Sequence, residues 1–256
     1  MKFDKHSSKI EIVSPVTYEN PFAVIYKPQG IPSAPLKEDD RNCALFQAAE
    51  IFPELLNVKG KKEIEAGLIH RIDTATDGLL LIAADQKSYD YFITLQAQDK
   101  FIKTYSAECT YIPELFKLKP GYPENHEEEK IKKLNHDMSL KISVTSFFRA
   151  FGQGRKEVRP VSQDSGMAAS KKSGEKIYTT DISVKRKENG YFCHCSITNG
   201  YRHQVRSHLA WCKIPVKGDA LYNPNTNEGD EFFFTASGLS FSHPLTKSCV
   251  EYKLDL

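Results

Sequence analysis

The stretch GLIHRIDTATDGLLLIAAD, residues 67–85, combines side chains that can do chemistry with a strand that could hold them. His70, Arg71 and Asp73 come first, and six apolar residues, 79–84, follow Gly78. An apolar run of this length, bounded by polar residues, is typical of a strand buried on both faces. A carboxylate at the mouth of such a strand suits a nucleophile or a general base when a guanidinium keeps it ionised.

Two arginines four residues apart, Arg202 and Arg206, form a second candidate set. In the helix predicted after Gly200, both guanidinium groups would share one face near the positive end, where like charges are mildly unfavourable. This arrangement predicts a bound anion, either a phosphate or a carboxylate of the chain such as Asp73. The alternatives are two solvated arginines and an aspartate that only caps a turn.

The elements that must position these residues are predicted from hydrophobic spacing and turn residues. Strands are predicted at 22–26, 79–84, 101–109, 142–148, 177–184, 191–198, 231–241 and 249–255, and helices at 43–56 (interrupted by Pro53), 87–98 and 203–213. The second helix should present Tyr89, Phe92, Ile93 and Gln96 on one face. Without a repeat or a linker, the pattern favours one α+β domain with mixed, mostly antiparallel strands and flanking helices.

Composition is that of an ordinary globular chain of 256 residues with a formal net charge of +2. No apolar stretch approaches the roughly 20 residues that span a bilayer, and the N-terminus lacks the apolar region of a secretory signal. The six scattered cysteines predict reduced thiols and a cytoplasmic protein. Between 149 and 188, ten Lys or Arg residues face five Asp or Glu residues, which alone is a weak sign of a polyanionic partner.

Metal binding is disfavoured by the spacing of the candidate ligands. Cys193 and Cys195 would face one side of a strand and His194 the other. His203 and His208 are five residues apart, whereas a zinc helix uses a spacing of four. The segment GQGRK, 152–156, is too short a signal for a phosphate loop. We therefore predict no metal site.

Five ordered segments resemble the RluA family of pseudouridine synthases. HRIDTATDGLLL (70–81) resembles the HRLDxxTSGLLL signature, VIYKPQGIP (24–32) the strand-KPxG motif, and KTYSA (103–107) the KxYxA strand. NGYRHQVRSHLA with IPVKGDALY (199–222) resembles GRTHQIRVHLA…PIxGDxxYG, and GLSFSHPLT (238–246) the LxFxHP segment. The resemblance covers roughly residues 20–255.

The resemblance implies isomerisation of uridine to pseudouridine in structured RNA, without a cofactor. It assigns Asp73 as the catalytic aspartate, either as nucleophile at C1′ or as base at C2′. It implies that Tyr105 stacks on the uracil ring and that Arg206 pairs with the catalytic aspartate.

The resemblance also implies contacts to RNA. Arg71 would enter the stack that the target uridine leaves, Val205 would line the base pocket, and His70 would contact the substrate. The weaker candidates, all proposed for phosphate contacts, are Lys27, Arg202, Arg155, Lys156 and Arg159. The partner would be rRNA or tRNA, with no membrane partner and a monomeric protein.

The domain assignment combines this resemblance with the loop-like, Pro- and charge-rich composition of two segments. Residues 1–256 would form one catalytic domain, with an N-terminal extension at 1–19, exposed insertions at 112–140 and 150–176, and no S4-like module.

Five positions depart from the family pattern: Thr74 stands where Arg is common, Asp77 where Ser is usual, Tyr201-Arg202 where Arg-Thr is usual, and Thr235 where a His is expected. Asp73, Tyr105 and Arg206 are all present, so we expect activity to be retained. The departures are expected to affect which RNA is the substrate. Two alternatives stay open: an RNA-binding protein without turnover, and a hydrolytic glycosidase, which would need a second carboxylate as acid.

Overall fold

The structure is a computed structural model that describes residues 3–37, 39–125, 127–136, 138–163 and 165–255. Contacts divide the chain into two compact units. Unit 1 is Met1–Lys103 with Thr235–Leu256, and unit 2 is Thr104–Phe234. In the described ranges, no helix is both long and apolar enough to cross a bilayer.

Both units contain strands and helices. The strands are β1 Glu11–Ser14, β2 Phe22–Lys27, β3 Asp77–Ala83, β4 Ile102–Cys109, β5 Ser139–Phe151, β6 Glu157–Val161, β7 Tyr178–Lys187, β8 Gly190–Ile197, β9 Phe234–Ser242 and β10 Cys249–Lys253. The α-helices are α1 Ala44–Ala49, α2 Gln86–Ala97, α3 Leu115–Leu118, α4 Glu127–Lys132, α5 Met167–Ser170 and α6 Gln204–Trp211. Short 3₁₀ turns cover Pro53–Asn57, Glu63–Glu65 and Gln153–Arg155.

Unit 1 is built around β3, whose seven residues are all buried. β2 lies antiparallel between β1 and β3, β9 runs parallel to β3, and β10 pairs antiparallel with β9. α2 packs on this sheet through Tyr89, Phe92 and Leu95. Phe92 makes edge contacts with Phe22 and Phe241, so interlocked aromatic rings hold the helix in place.

Gly78 allows the parallel pairing of β3 and β9. Its φ of 124° lies in a region that side chains rarely adopt, and a Cβ here would collide with the backbone of Ala236. The pair Gly78↔Ala236 follows the pair Asp77↔Thr235 in the register. Glycine therefore lets β9 approach β3 just where the loop of Asp73 leads into the strand.

Unit 2 contains strands in the order β4-β8-β7-β5-β6. β5 pairs antiparallel with both β6 and β7, and β7 with β8. Helix α6, in which every residue is buried, packs against β6 and β7. The polar side chains of a helix that is buried on all sides need hydrogen-bond partners within the protein. Those of α6 have such partners.

The predicted fold class, α+β with mixed, mostly antiparallel strands and flanking helices, is confirmed. The predicted face of α2 is partly wrong, because Leu95 is buried while Ile93 is 37% exposed. At 100° per residue, Leu95 lies about 60° from Phe92 and Ile93 about 100° away. Hairpin strand β6 was not predicted.

The predicted insertions contain structure of their own. Segment 112–140 carries α3 and α4 and buries Leu115 and Ile131 completely. Segment 150–176 contains β6 and α5. The assignment of residues 1–256 to one catalytic domain stays a prediction.

Candidate active site

Asp73 lies half-buried in the loop that leads into β3, and the residue before it is fixed by a serine. The amide N–H of Ile72 donates to Oγ of Ser33 at 3.1 Å, and the same hydroxyl donates to the carbonyl of Ile72 at 2.8 Å. Ser33 is 4% exposed and stands in the Pro-rich loop after β2. One hydroxyl thus satisfies both backbone groups of the residue next to Asp73.

The residue after Asp73 is fixed by the same loop. Nζ of Lys27 donates to the carbonyl of Thr74 at 3.3 Å and to the carbonyls of Pro28 and Ile31 at 2.8 and 2.7 Å. The amide of Gly30 also donates to the carbonyl of Thr74, at 2.8 Å. We call these contacts of residues 27–33 to Ile72 and Thr74 the loop clamp. The clamp holds the backbone on both sides of Asp73.

Lys27 is 0% exposed, so its predicted phosphate contact is withdrawn. Burial lowers the pKa of Lys27 from 10.5 to about 8, although the nearby carboxylates of Asp77 and Asp73 favour its charged form. The side chain is therefore mainly an ammonium at neutral pH. Its hydrogen atoms are directed at three backbone carbonyls, which makes it a positioning residue.

Arg71 and His70 differ in their access to solvent. The side chain of Arg71 is 56% exposed and forms an ion pair with Glu65 at 3.0 Å. Both ring nitrogens of His70 are buried, and neither has a hydrogen-bond partner among the described residues. Burial, with a contribution from Lys103, lowers the pKa of His70 to about 3. The imidazole is therefore neutral near pH 7 and suits a hydrogen bond to a neutral group better than a phosphate contact.

Two of the departures from the family pattern contact one another. Oγ1 of Thr235 donates to the carboxylate of Asp77, lying 3.1 Å from each oxygen. The hydroxyl of Tyr26 donates to Oδ2 at 2.8 Å, and Nε2 of Gln29 to Oδ1 at 3.2 Å. Burial, and then the carboxylate, raise the pKa of Tyr26, so its hydroxyl keeps the proton that it donates. Asp77 and Thr235 are thus one matched pair in the β3–β9 register.

This pairing predicts non-additive stability effects. Asp77→Ala should lower the free energy of unfolding by about 1–3 kcal/mol, because buried donors lose their acceptor. Thr235→Val should lower the free energy of unfolding less in the Asp77→Ala background than in the wild type. The difference, measured by urea unfolding, should be about 0.5–3 kcal/mol. Thr94→Val, at an exposed position of α2, serves as the control, and its effect on the free energy of unfolding should add to that of Asp77→Ala. Full additivity of the Asp77 and Thr235 changes would refute the pairing.

In unit 2, Arg206 is held by a carboxylate that the sequence interpretation did not use. Nε and Nη2 of Arg206 donate to the two oxygens of Asp219 at 2.8 and 2.7 Å, the bidentate geometry of a strong ion pair. Asp219 is 1% and Arg206 5% exposed. Oδ1 of Asp219 also accepts from the amides of Leu221 and Tyr222 at 3.0 and 3.2 Å. The only sequence signal was the carboxylate within the quoted IPVKGDALY segment.

Tyr105 and Val205 are both nearly buried in unit 2. The ring of Tyr105, on β4, is 8% exposed and stacks parallel to Phe234, with centroids 5.3 Å apart and planes at 5°. Val205 is 4% exposed in the first turn of α6. A stacked tyrosine ring has little freedom to turn, which gives the side chain of Tyr105 a defined position.

Arg202 and Arg206 do not share a helix face, so that prediction is wrong. His203 adopts a left-handed conformation with a φ of 56°, and α6 begins only at Gln204. Nη2 of Arg202 donates instead to the carbonyls of Arg155 and Glu157, at 2.5 and 3.3 Å. Arg202 therefore belongs to the surface beside the β5–β6 turn.

Of the three basic residues predicted near that turn, two are exposed and one is not. Arg155 and Lys156 are exposed. Arg159 is 1% exposed, pairs with Glu157 at 2.5 Å, and lies over the rings of Tyr122 and Phe151 at 4.3 and 4.6 Å. A guanidinium enclosed in this way stabilises the interior. Arg159 is therefore withdrawn from the predicted phosphate contacts.

His208, Cys193 and Cys195, which were considered as metal ligands, are buried in the protein interior. His208 is fully buried between the hydroxyls of Ser146 and Thr180, at 2.9 and 2.8 Å, and burial lowers its pKa to about 3. Cys193 and Cys195 are buried while His194 is exposed, so the predicted division of these side chains between strand faces is confirmed.

Comparisons with known proteins agree on one family. A family model described as RNA pseudouridylate synthase matches residues 21–211. An uncharacterised RNA pseudouridine synthase of Mycoplasma pneumoniae is 24% identical over 179 residues, 69% of this chain and 48% of the relative. Ribosomal large subunit pseudouridine synthase D of Borreliella burgdorferi is 26% identical over 232 residues, 87% of this chain and 60% of the relative. The chain thus spans less than two thirds of the length of these relatives.

A solved structure supports the fold. The human RNA pseudouridylate synthase domain containing 1 covers 100% of this chain, and 86% of its own chain is matched, with a TM-score of 0.63 and 16% sequence identity. At this identity the likeness concerns the fold alone.

Proposed function

Since the chain belongs to the RluA-type family of RNA pseudouridylate synthases, we propose that it isomerises uridine to pseudouridine in RNA. In this reaction the N1–C1′ bond breaks, the uracil turns while held, and C5 bonds to C1′. The proton on C5 is lost, and N1 carries one in the product. Reactant and product have the same atoms and oxidation state, so the chemistry needs no redox partner.

Asp73 is the proposed catalytic residue, and the observation that carries this proposal is the loop clamp. Hydrogen bonds on both sides fix the backbone of Asp73, while its own side chain is only half-buried. A positioned carboxylate can stabilise the oxocarbenium character of the sugar, either by attack at C1′ or by removal of the C2′ proton. Both roles remain alternatives.

Tyr105 and Arg206 are proposed to act with Asp73. Tyr105 would stack on the uracil ring, for which its parallel contact with Phe234 supplies a rigid support. Arg206 would supply positive charge to the reacting groups, and Asp219 would keep its guanidinium oriented. Val205 would line the base pocket.

RNA is the proposed partner, as rRNA or tRNA, with the protein acting as a monomer in the cytoplasm. The exposed guanidinium of Arg71 would replace the target uridine in the stack, which offsets part of the few kcal/mol that unstacking costs. The neutral ring of His70 would accept or donate a hydrogen bond to the displaced nucleotide, which requires that RNA binding expose its two buried nitrogens. Arg155, Lys156 and Arg202 are the proposed phosphate contacts.

Release of tritium tests the isomerase proposal directly. RNA transcripts carrying tritium at C5 of uridine should lose it to water when incubated with the purified chain, because C5 loses its hydrogen when it bonds to C1′. Release from rRNA or tRNA transcripts is expected. Binding of these RNAs without release would favour an RNA-binding protein instead, and free uracil among the products would indicate a glycosidase.

The loop clamp predicts a specific effect of Ser33→Ala. The amide of Ile72 loses its acceptor, so its hydrogen exchange should become about fivefold to tenfold faster, the equivalent of one hydrogen bond. The kcat of tritium release should fall about tenfold or more, because small displacements of a catalytic group are costly, while the KM for RNA stays unchanged.

Ser207→Ala is the matched control for the clamp. Ser207 is also fully buried and also donates to a backbone carbonyl, that of Val158 at 3.0 Å. It should lower stability to a similar extent while leaving kcat and the exchange of Ile72 unchanged. Ser33→Thr, which keeps the hydroxyl, should restore part of the lost kcat. Equal kcat values for both alanine variants would exclude a positioning role for Ser33.

A further inference from the structure

Two half-buried tyrosines of unit 2, Tyr178 and Tyr201, lie side by side. Their ring centroids are 5.2 Å apart, with planes inclined by 57°. Phe148, which is 1% exposed, lies behind both: it stacks on Tyr201 at 5.0 Å and 7°, and contacts Tyr178 at 5.8 Å. The phenylalanine ring also stacks on buried His208 at 4.9 Å. Both tyrosine rings are therefore supported from the interior and have little freedom to turn.

The hydroxyl groups of these two tyrosines differ from those of five other tyrosines among the described residues. Neither hydroxyl has a hydrogen-bond partner among the described residues, and neither is among the buried oxygen atoms that lack one. Five other tyrosine hydroxyls are hydrogen-bonded within the protein, those of Tyr26, Tyr89, Tyr111, Tyr222 and Tyr252. A tyrosine that serves packing usually finds such a partner. The polar ends of Tyr178 and Tyr201 instead meet solvent.

One exposed cation lies over a ring, and three more are connected to Tyr201 through the chain and one hydrogen bond. Nζ of Lys176 lies 5.7 Å from the ring centroid of Tyr178 and donates to Asn199 at 2.6 Å. Arg202, adjacent to Tyr201 in the chain, is tied by its hydrogen bond to the carbonyl of Arg155 in the β5–β6 turn. Lys156, also exposed, follows Arg155 in that turn. We call the two tyrosines with these four cations, Arg155, Lys156, Lys176 and Arg202, the tyrosine platform.

Acidic side chains do not cancel this charge. Glu157 is half-buried and is already paired with Arg159 at 2.5 Å and Lys119 at 3.6 Å. Exposed Glu175, next to Lys176, is the other acidic residue beside the platform in sequence. The platform therefore combines aromatic rings with an excess of positive charge, which is complementary to a chain of phosphates carrying flat bases.

We propose that the tyrosine platform binds an unpaired RNA nucleotide by stacking, while its cations contact the flanking phosphates. Base stacking on an aromatic side chain needs an unstacked base, so the expected partner is a single-stranded segment and not a duplex. An acidic peptide could satisfy the cations but would gain nothing from two supported rings. The proposal rests on the proposed function only in taking RNA as the partner, and binding can be measured without turnover.

The test measures binding of a fluorescent 12-nucleotide oligouridine to the full chain. Tyr201→Leu and Tyr178→Leu should each weaken binding about tenfold, since one stacked base contributes about 1–3 kcal/mol. Phenylalanine at either position should bind within about twofold of the wild type, because the ring remains. Tyr18→Leu is the matched control, because Tyr18 is 99% exposed and lies in unit 1, and its replacement should change nothing.

Salt dependence separates the two parts of the platform. Lys176→Ala and Arg155→Ala should each reduce the slope of log binding constant against log salt by about 0.7, as expected for a lost phosphate contact to a single strand. The leucine variants should leave that slope unchanged. A 4-thiouridine oligonucleotide should crosslink to Tyr178 or Tyr201, as mapped by mass spectrometry.

Several results would overturn the proposal. The first two are equal binding of oligouridine by the leucine and phenylalanine variants, and crosslinks confined to other residues. The other two are an equal weakening of duplex RNA binding by the leucine variants, and displacement of the RNA by poly-glutamate of the same charge. If tritium release fails while the leucine variants still bind oligouridine less tightly, the isomerase proposal fails and the platform stands. If release is intact and the leucine variants bind normally, the platform fails alone.

Discussion

Asp73→Asn is expected to lower tritium release by at least about a thousandfold, with unfolding by urea close to that of the wild type. The amide keeps the size of the side chain but can neither attack C1′ nor take a proton from C2′, and loss of such a group typically costs three or more orders of magnitude. Binding of RNA should persist, because the exposed cations remain. The measurement is single-turnover release from a transcript that the wild type modifies.

The control for this prediction is another aspartate of unit 1. Asp90 lies exposed on α2 and accepts a hydrogen bond from Gln86 at 2.9 Å, so Asp90→Asn should leave release unchanged. Residual activity of Asp73→Asn above about one per cent of wild type would remove Asp73 from the catalytic role. A loss of RNA binding parallel to the loss of activity would point to a substrate contact instead.

Asp219→Asn is expected to destabilise the protein by about 3–5 kcal/mol, because it removes the carboxylate that pairs with the buried guanidinium of Arg206. The asparagine oxygen can still accept from the amides of Leu221 and Tyr222, so the turn itself is preserved. Urea unfolding of the two proteins measures the difference.

A double variant separates stability from catalysis. Arg206→Met with Asp219→Asn removes both charges and should recover much of the lost stability, since a buried ion pair adds little over apolar packing. Its activity should remain lost if Arg206 acts in the reaction. Glu251→Gln, which breaks an exposed ion pair with Lys253, should unfold like the wild type. If Asp219→Asn lowered the free energy of unfolding by less than about 1 kcal/mol, the structural role of the Arg206–Asp219 ion pair would be contradicted.

Sequence reasoning succeeded where a local pattern decides the structure. The continuous apolar run after Gly78 predicted a buried strand, and β3 is buried along its whole length. The helical spacing of 87–98 located α2 within one residue at each end. The order of five motifs was sufficient to indicate the family, because each motif is a contiguous stretch of chain.

The loop clamp could not be predicted, because its contacts join segments with no periodic signal. Ser33 lies in a Pro-rich loop, 39 residues before its partner Ile72, and a serine in such a loop is ordinarily a turn residue. Lys27 was proposed as a phosphate contact, but it is fully buried, which is rare for lysine. Its burial is stabilised by three carbonyls, a geometry that emerges only in the folded chain.

The arginines were the least predictable part of the site. Arg202 was assigned to a helix because the spacing allowed it, but the left-handed backbone of His203 starts the helix two residues later. Arg159 appeared to belong to a basic surface cluster and is instead enclosed by aromatic rings and Glu157. Charge and spacing indicate that an arginine has a partner, but they do not distinguish a phosphate from a carboxylate or a ring.

The contact between Asp77 and Thr235 has a consequence for how such a sequence can diverge. These positions are 158 residues apart in the chain, yet their side chains are hydrogen-bonded, so we expect each to limit which side chain the other position tolerates. A lineage exchanging the usual serine and histidine for this aspartate and threonine would pass through an intermediate with a mismatched pair, less stable than either end point. Substitutions at the two sites should therefore be inherited together, and grafting one of them alone into a relative should be harmful.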